Sequence, residues 1–326
     1  MSIIKNNKNY GTKVRIEQVE PYKPAERTYF YIDNLANEEN TITIKKTGDF
    51  PASVTVYRSA DKVNWELMGT STVQGISTTI PAYGRLYLKG TNDRWGQEES
   101  HYNFFTSTNL VRIGGYLSSL AIGDNYETNE CYVPWSRTFY NWLSLVDAKD
   151  LILPNGSNWF YGMFEQSNIK TAPSTLPTVI SDCKLMFRNC KRLTTPPIMP
   201  ATTLAEGCYR SMFQGCSSLT TAPVLPATTL ADYCYNAMFY QCTSLTTAPV
   251  LPATTLVGSC YRDMFGGCTN LNSVTTYAQD ISAGNCMDNW LSGVSSTGDF
   301  YNLGGATYTV DSPNGIPTGW TEHTSL

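Results

Sequence analysis

SSLTTAPVLPATTLADYCYNAMFYQC, residues 217–242, runs directly into TSLTTAPVLPATTLVGSCYRDMFGGC, residues 243–268. Segments 205–230 and 231–256 agree at 19 of 26 positions. A Met-Phe pair begins at Met186, Met212, Met238 and Met264, each 26 residues after the last; Met163 lies 23 residues before Met186, and Trp290-Leu291 keeps the step with different residues. Cysteines keep the same phase: Cys208, Cys234, Cys260 and Cys286 lie four before the pair, and Cys190, Cys216, Cys242 and Cys268 lie four after its first residue. A period of about 20–30 residues with one extended and one helical run marks a solenoid, each coil holding one strand and one helix or 3₁₀ turn.

Each repeat divides into two halves. In SLTTAPVLP the leucine opens an extended run, and Pro223 and Pro226 lack an N–H and disfavour helix at the residue before them. In ADYCYNAMFYQC the residues Cys234, Met238, Phe239 and Cys242 fall at i, i+4, i+5 and i+8, the spacing of one helix face, so these side chains are expected to point inward. Coils that pair as strands lie about 4.8 Å apart. Each residue then sits above its counterpart, Cys on Cys and Met on Met, and Thr220 is placed to hydrogen-bond Thr246.

The stretch CYRSMFQGCSSLTTAPVLPATTL with its copies, and the ending AQDISAGNCMDNWLSGVSSTGDF followed by NGIPTGWT, resemble the BspA-like leucine-rich repeats of surface proteins of gut and oral Bacteroidetes and of their phages. The resemblance covers roughly residues 105–322. It implies a non-enzymatic recognition or structural role, a C-terminal cap, and no catalytic motif.

The first hundred residues differ in kind. TITIKKTG, ASVTVYRS, NWELMG, STTIPAYG and RLYLKG are short alternating runs separated by turn residues, the pattern of an antiparallel β-sandwich. YRSADKVNW reads as a hairpin turning at Ala60–Asp61, with Trp65 folded back onto a sheet; Trp65 and Tyr57 suggest either a carbohydrate platform or core packing, and core is the reading preferred. TNDRWGQEESHYN, 91–103, reads as a linker or exposed loop, and FFTSTNLVRIGGYLSSL as the start of the first coils. The expected fold is thus mainly β with short helices: an N-terminal arm 1–27, a β-sandwich anchoring domain 28–100, a repeat solenoid 101–276 and a C-terminal cap 277–326.

Composition narrows the function. Charged residues are 15% of the 326, and the formal charge of −4 leaves no basic face for nucleic acid or anionic lipid. No stretch approaches the ~20 apolar residues of a membrane span. The first twenty residues hold no secretory run of about 7–15 apolar residues, so synthesis and folding in a cytoplasm are expected. His101 and His323, one in a polar loop and one near the end, read as solvated, and no G-x-S-x-G, H-E-x-x-H or phosphate loop is present, so the sequence predicts no enzyme and no cofactor. The cysteines of a coil lack the close pairing of zinc ligands. A disulfide between coils fits sterically, but free buried thiol ladders are preferred. IGDNYETNE, 122–130, and YAQDISAGNCMDN, 277–289, carry oxygen ligands suited to calcium without the regular spacing, and Asp280 or Ser282 is expected instead to start a short helix; no metal is predicted.

The constant positions are expected to build the scaffold, and the variable ones to face outward on the helical side of each coil. Among these, Arg210, Tyr233, Tyr240 and Arg262 are the candidate binding residues, of types enriched at interfaces. The resemblance directs the functional expectation to a phage virion component: a head fibre, capsid decoration or tail-fibre accessory. Its expected partners are capsid or tail proteins through the N-terminal region, a host-surface glycan or protein, and further copies of itself. The alternative is a bacterial cell-surface adhesin.

Overall fold

The computed structural model describes residues 28–48, 52–92, 94–98, 101–125, 131–155, 159–311 and 313–326. The expected arm 1–27 and residues 126–130 of the first calcium candidate lie outside them. The chain is mainly β, with one short α-helix among the described residues. The strands are β1 (Phe30–Asn34), β2 (Asn40–Lys46), β3 (Thr55–Ser59), β4 (Glu66–Thr70), β5 (Ile76–Ile80), β6 (Arg85–Gly90), β7 (Gly96–Glu98), β8 (His101–Ser107) and β9 (Val111–Tyr116). After α1 (Ser119–Ile122) come β10 (Leu145–Ile152), β11 (Ser273–Thr276), β12 (Gly298–Asn302) and β13 (Trp320–His323).

Ten of these strands make two sheets at the N-terminal end, in the orders β10-β9-β1-β6-β3-β4 and β5-β2-β8-β7. The alternation in NTITIKK puts Asn40, Ile42 and Ile44 inward, as a period of two requires. Antiparallel pairing of β1 with β6 sets Phe30 opposite Leu88 and Ile32 opposite Leu86. The Phe30 ring, from the first sheet, meets the Phe105 ring, from the second, at 5.7 Å.

The expected boundary at residue 100 falls inside this sheet system. β7 and β8 pair across it, Gly96 opposite Tyr102, while β8 joins β2 and β9 joins β1. The stretch expected as a linker is therefore structural: Trp95 is fully buried, its ring 5.6 Å from Phe105. FFTSTNLVRIGGYLSSL supplies β8 and β9 and so belongs to the sheets, not to the first coils. Trp95 and Tyr102, apolar anchors set in a polar sequence, disguised the first of these segments.

Trp65 does fold back, but not into the core. It is half-buried, edge-on to Tyr29 at 4.7 Å, with the Lys89 ammonium 4.4 Å from its ring centre and its indole N–H donating to the Lys62 carbonyl. Tyr57 is likewise half-buried, so the preferred core reading of both residues is corrected.

Beyond β10 the repeats stack on one another through the backbone. β10 pairs in parallel with β9 and bridges to Thr171, which bridges to Thr195. At the other end Thr247 bridges to Ser273 of β11, and β11, β12 and β13 form a parallel sheet. The run ADYCYNAMFYQC is no helix. Cys234, Asn236, Met238, Tyr240 and Cys242 donate N–H to the carbonyl three residues back, whereas Tyr233, Tyr235, Ala237, Phe239 and Gln241 donate to Gly258, Cys260, Arg262, Met264 and Gly266 of the next repeat at 2.7–3.1 Å.

Every fourth residue makes this alternation workable: Tyr233, Ala237 and Gln241 have φ of 58°, 52° and 60°. A left-handed residue at that interval breaks an α-helix into linked turns and aims alternate N–H groups along the stack. The repeat of the turns is then four residues, which is why Cys234, Met238 and Cys242 all point inward. The same pattern runs through residues 283–292, part of the expected cap, where Cys286, Trp290 and Ser292 accept from the preceding repeat. Asp280 takes the Ser282 N–H at 2.9 Å, but turns rather than a helix follow it.

The interior is a set of columns. Phe164, Phe187, Phe213, Phe239 and Phe265 stack at 5.3–5.7 Å with interplanar angles of 3–9°. Tyr209, Tyr235 and Tyr261 make a second column at 5.9 and 6.1 Å. Phe139 touches both Phe105 and Phe164, at 5.6 and 5.2 Å, so one continuous apolar core links the sheets to the repeats. All ten cysteines are free and buried. Four of them, Cys190, Cys216, Cys242 and Cys268, donate S–H to the carbonyls of Phe164, Phe187, Phe213 and Phe239 at 3.0–3.1 Å.

Candidate functional site

The outside of the stack has two faces. The Pro-rich run exposes Thr220, Thr221, Val224, Thr228 and Thr229, with Val224 at 79%. Identical residues thus face solvent as well as core, which corrects the expectation that constancy marks the scaffold. Thr220 and Thr246 are both exposed, and no hydrogen bond joins them among the described residues. The turn face carries the differences between repeats, and there the structure gathers a pocket.

That pocket has a volume of about 370 Å³ and is lined by Lys184, Glu206, Gly207, Arg210 and Tyr233, contributed by three successive repeats. Lys184 and Arg210 are counterparts 26 residues apart, so the stack sets one cation beside the other. The Lys184 ammonium is paired with Asp182 at 3.7 Å, and burial pushes the Asp182 carboxyl up. Arg210 is exposed and forms no ion pair among the described residues. Gly207 keeps the floor open: a β-carbon there would meet Lys184 Cε at 2.9 Å, and its φ of +60° suits glycine.

Tyr233 forms one wall and is 41% exposed. It occupies a left-handed position that Gly207 and Ser259 fill in the neighbouring repeats. For a residue with a β-carbon that conformation costs about 1–2 kcal/mol, and tyrosine lacks the short polar side chain that makes asparagine tolerant of it. Nothing in the backbone calls for a large aromatic side chain at this place.

The other two candidates lie outside the pocket. Arg262 is engaged by Asp263 and Asp288 at 3.4 and 3.7 Å. Tyr240 lies over Gly266, where an added β-carbon would meet its ring at 2.9 Å. Lys184, Glu206 and Gly207 were not among the candidates from sequence. The available signal was charge at a variable position, since Lys184 and Arg210 are the same column of the alignment.

A second charged cluster on this side is closed on itself. Glu165, fully buried, is paired with Arg137 at 3.2 Å and bonded by Arg188 Nε at 2.8 Å, while the Arg137 guanidinium lies 4.7 Å from the Tyr140 ring centre. Removing either partner of such a buried pair would strand a charge, so the cluster serves the fold. His323, expected to be solvated, is partly exposed at the surface, where it contacts Asp299 at 2.8 Å and stacks on Tyr301 at 4.8 Å. No helix among the described residues is long and apolar enough to cross a membrane. In comparisons with known proteins, no family model, no curated protein and no solved structure matches this chain.

Proposed function

We propose that the chain is a non-enzymatic recognition and structural protein: an N-terminal β-sandwich followed by a BspA-like leucine-rich-repeat solenoid whose turn face meets a partner. The observation carrying this reading is the contrast between an interior of near-identical stacked columns and a turn face whose changing residues assemble the pocket at Lys184, Arg210 and Tyr233. The resemblance of the repeats to those of Bacteroidetes and their phages supports a virion role, as head fibre, capsid decoration or tail-fibre accessory. In that role the N-terminal region docks on capsid or tail protein and the repeats project toward the host. Antibody labelling of purified particles tests the location, and particle pull-down of a chain lacking residues 1–27 tests the anchor. Label on virions and loss of pull-down are expected. Label confined to the bacterial surface overturns the virion assignment in favour of an adhesin, and full retention by the shortened chain moves the anchor elsewhere.

A further inference from the structure

Lys184 and Arg210 stand on adjacent repeats, and repeats bonded through their backbones are about 4.8 Å apart. Like charges so placed repel, and Glu206 on the same lining makes no ion pair with either among the described residues. Among the described residues Lys184 is paired with Asp182 at 3.7 Å, and Arg210 has no ion-pair partner. Across the pocket Tyr233 offers an exposed ring in a conformation that favours glycine or asparagine. Glu206, exposed on the lining, offers a hydrogen-bond acceptor and repels a second negative charge.

We infer that this pocket binds an acidic saccharide, a sugar unit bearing one carboxylate. Arg210 and Lys184 hold the carboxylate through charge-assisted hydrogen bonds. The Tyr233 ring packs on the apolar C–H face of the sugar, and Glu206 accepts from a ring hydroxyl. A free phosphate or sulfate ion would satisfy the cations but leave Tyr233 and Glu206 without a role. The volume of about 370 Å³ suits a saccharide unit rather than a long chain segment.

The inference rests on the turn face being the recognition surface, and its test separates the two. Titration calorimetry on the full chain would use a galacturonate oligosaccharide, a sialylated oligosaccharide, a neutral galactose oligosaccharide and a glutamate peptide. Binding of an acidic saccharide is expected, weakening with salt, with Arg210→Gln reducing affinity at least about tenfold. Tyr233→Asn should also lose affinity while melting at the same temperature as the parent or higher, a result that separates binding from folding. Equal affinity for the neutral oligosaccharide would sink the charge argument and leave the recognition surface standing. Binding of the peptide alone, binding indifferent to both substitutions, or no saccharide binding would overturn the proposal.

Discussion

Alkaline pH should unfold this protein abruptly, because its repeat interiors are built on protonated thiols. Burial pushes Cys190, Cys208, Cys260 and Cys268 up to about 12 from an ordinary 9.0, and raises Cys183, Cys216 and Cys242 well above it. A thiol is neutral when protonated, so a raised folded value means that the unfolded chain releases its proton first. The contribution to stability is whole below pH ~9 and is lost as pH rises toward the folded values. At pH ~10.5 each such thiol has given up about 2 kcal/mol. The four thiols at about 12 together lose about 8 kcal/mol, within the 5–15 kcal/mol that holds an ordinary domain together. Buried Tyr209 and Tyr235, also raised by desolvation, add to the loss above pH ~10. Tryptophan fluorescence and thiolate absorbance followed together through the titration should change in one cooperative step between about pH 10 and 11. If thiolate absorbance grows smoothly from pH ~9 while the fluorescence stays native, the thiols ionise in the folded protein and the reasoning is wrong.

Phe239, between Phe213 and Phe265 in the ring column, should cost about 3–5 kcal/mol when replaced by alanine. Hydrogen exchange should show neighbouring repeats loosening before the N-terminal sheets formed by β1–β10, and uniform loss would mean that the shared core unfolds as one unit. Denatured protein should titrate ten thiols, and the melting temperature should be indifferent to reductant; a count of six or fewer would contradict the free cysteines of the structure. Gly207→Ala places a β-carbon at positive φ beneath Lys184 and should destabilise by about 1 kcal/mol in denaturant melts; an unchanged midpoint would show that the floor of the pocket tolerates a side chain.

Periodicity alone determined a good deal here. The interval of 26 residues and the inward set of Met, Phe and Cys are properties of the chain order, because residues a fixed interval apart must occupy equivalent places once the chain winds regularly. The alternating runs TITIKKTG and RLYLKG likewise announced β2 and β6, since a period of two is local. The turn run was read as helix because i, i+4 and i+8 suit both a helix face and a four-residue train of turns. What decides between them is nonlocal: half of its N–H groups bond the next repeat, a partner that no local window contains. Glycine and asparagine at left-handed positions, such as Gly207, Gly215, Asn285 and Asn289, were the local trace of it. The burial of Trp95 and the joining of β8 and β9 to the N-terminal sheets also came from tertiary contact, through β2 and β1. The pocket is of the same kind. Arg210 and Tyr233 are 23 residues apart in the chain, and Lys184 a further 26 before Arg210; only the winding that puts one repeat directly on the next brings the two cations and the ring to the walls of one cavity.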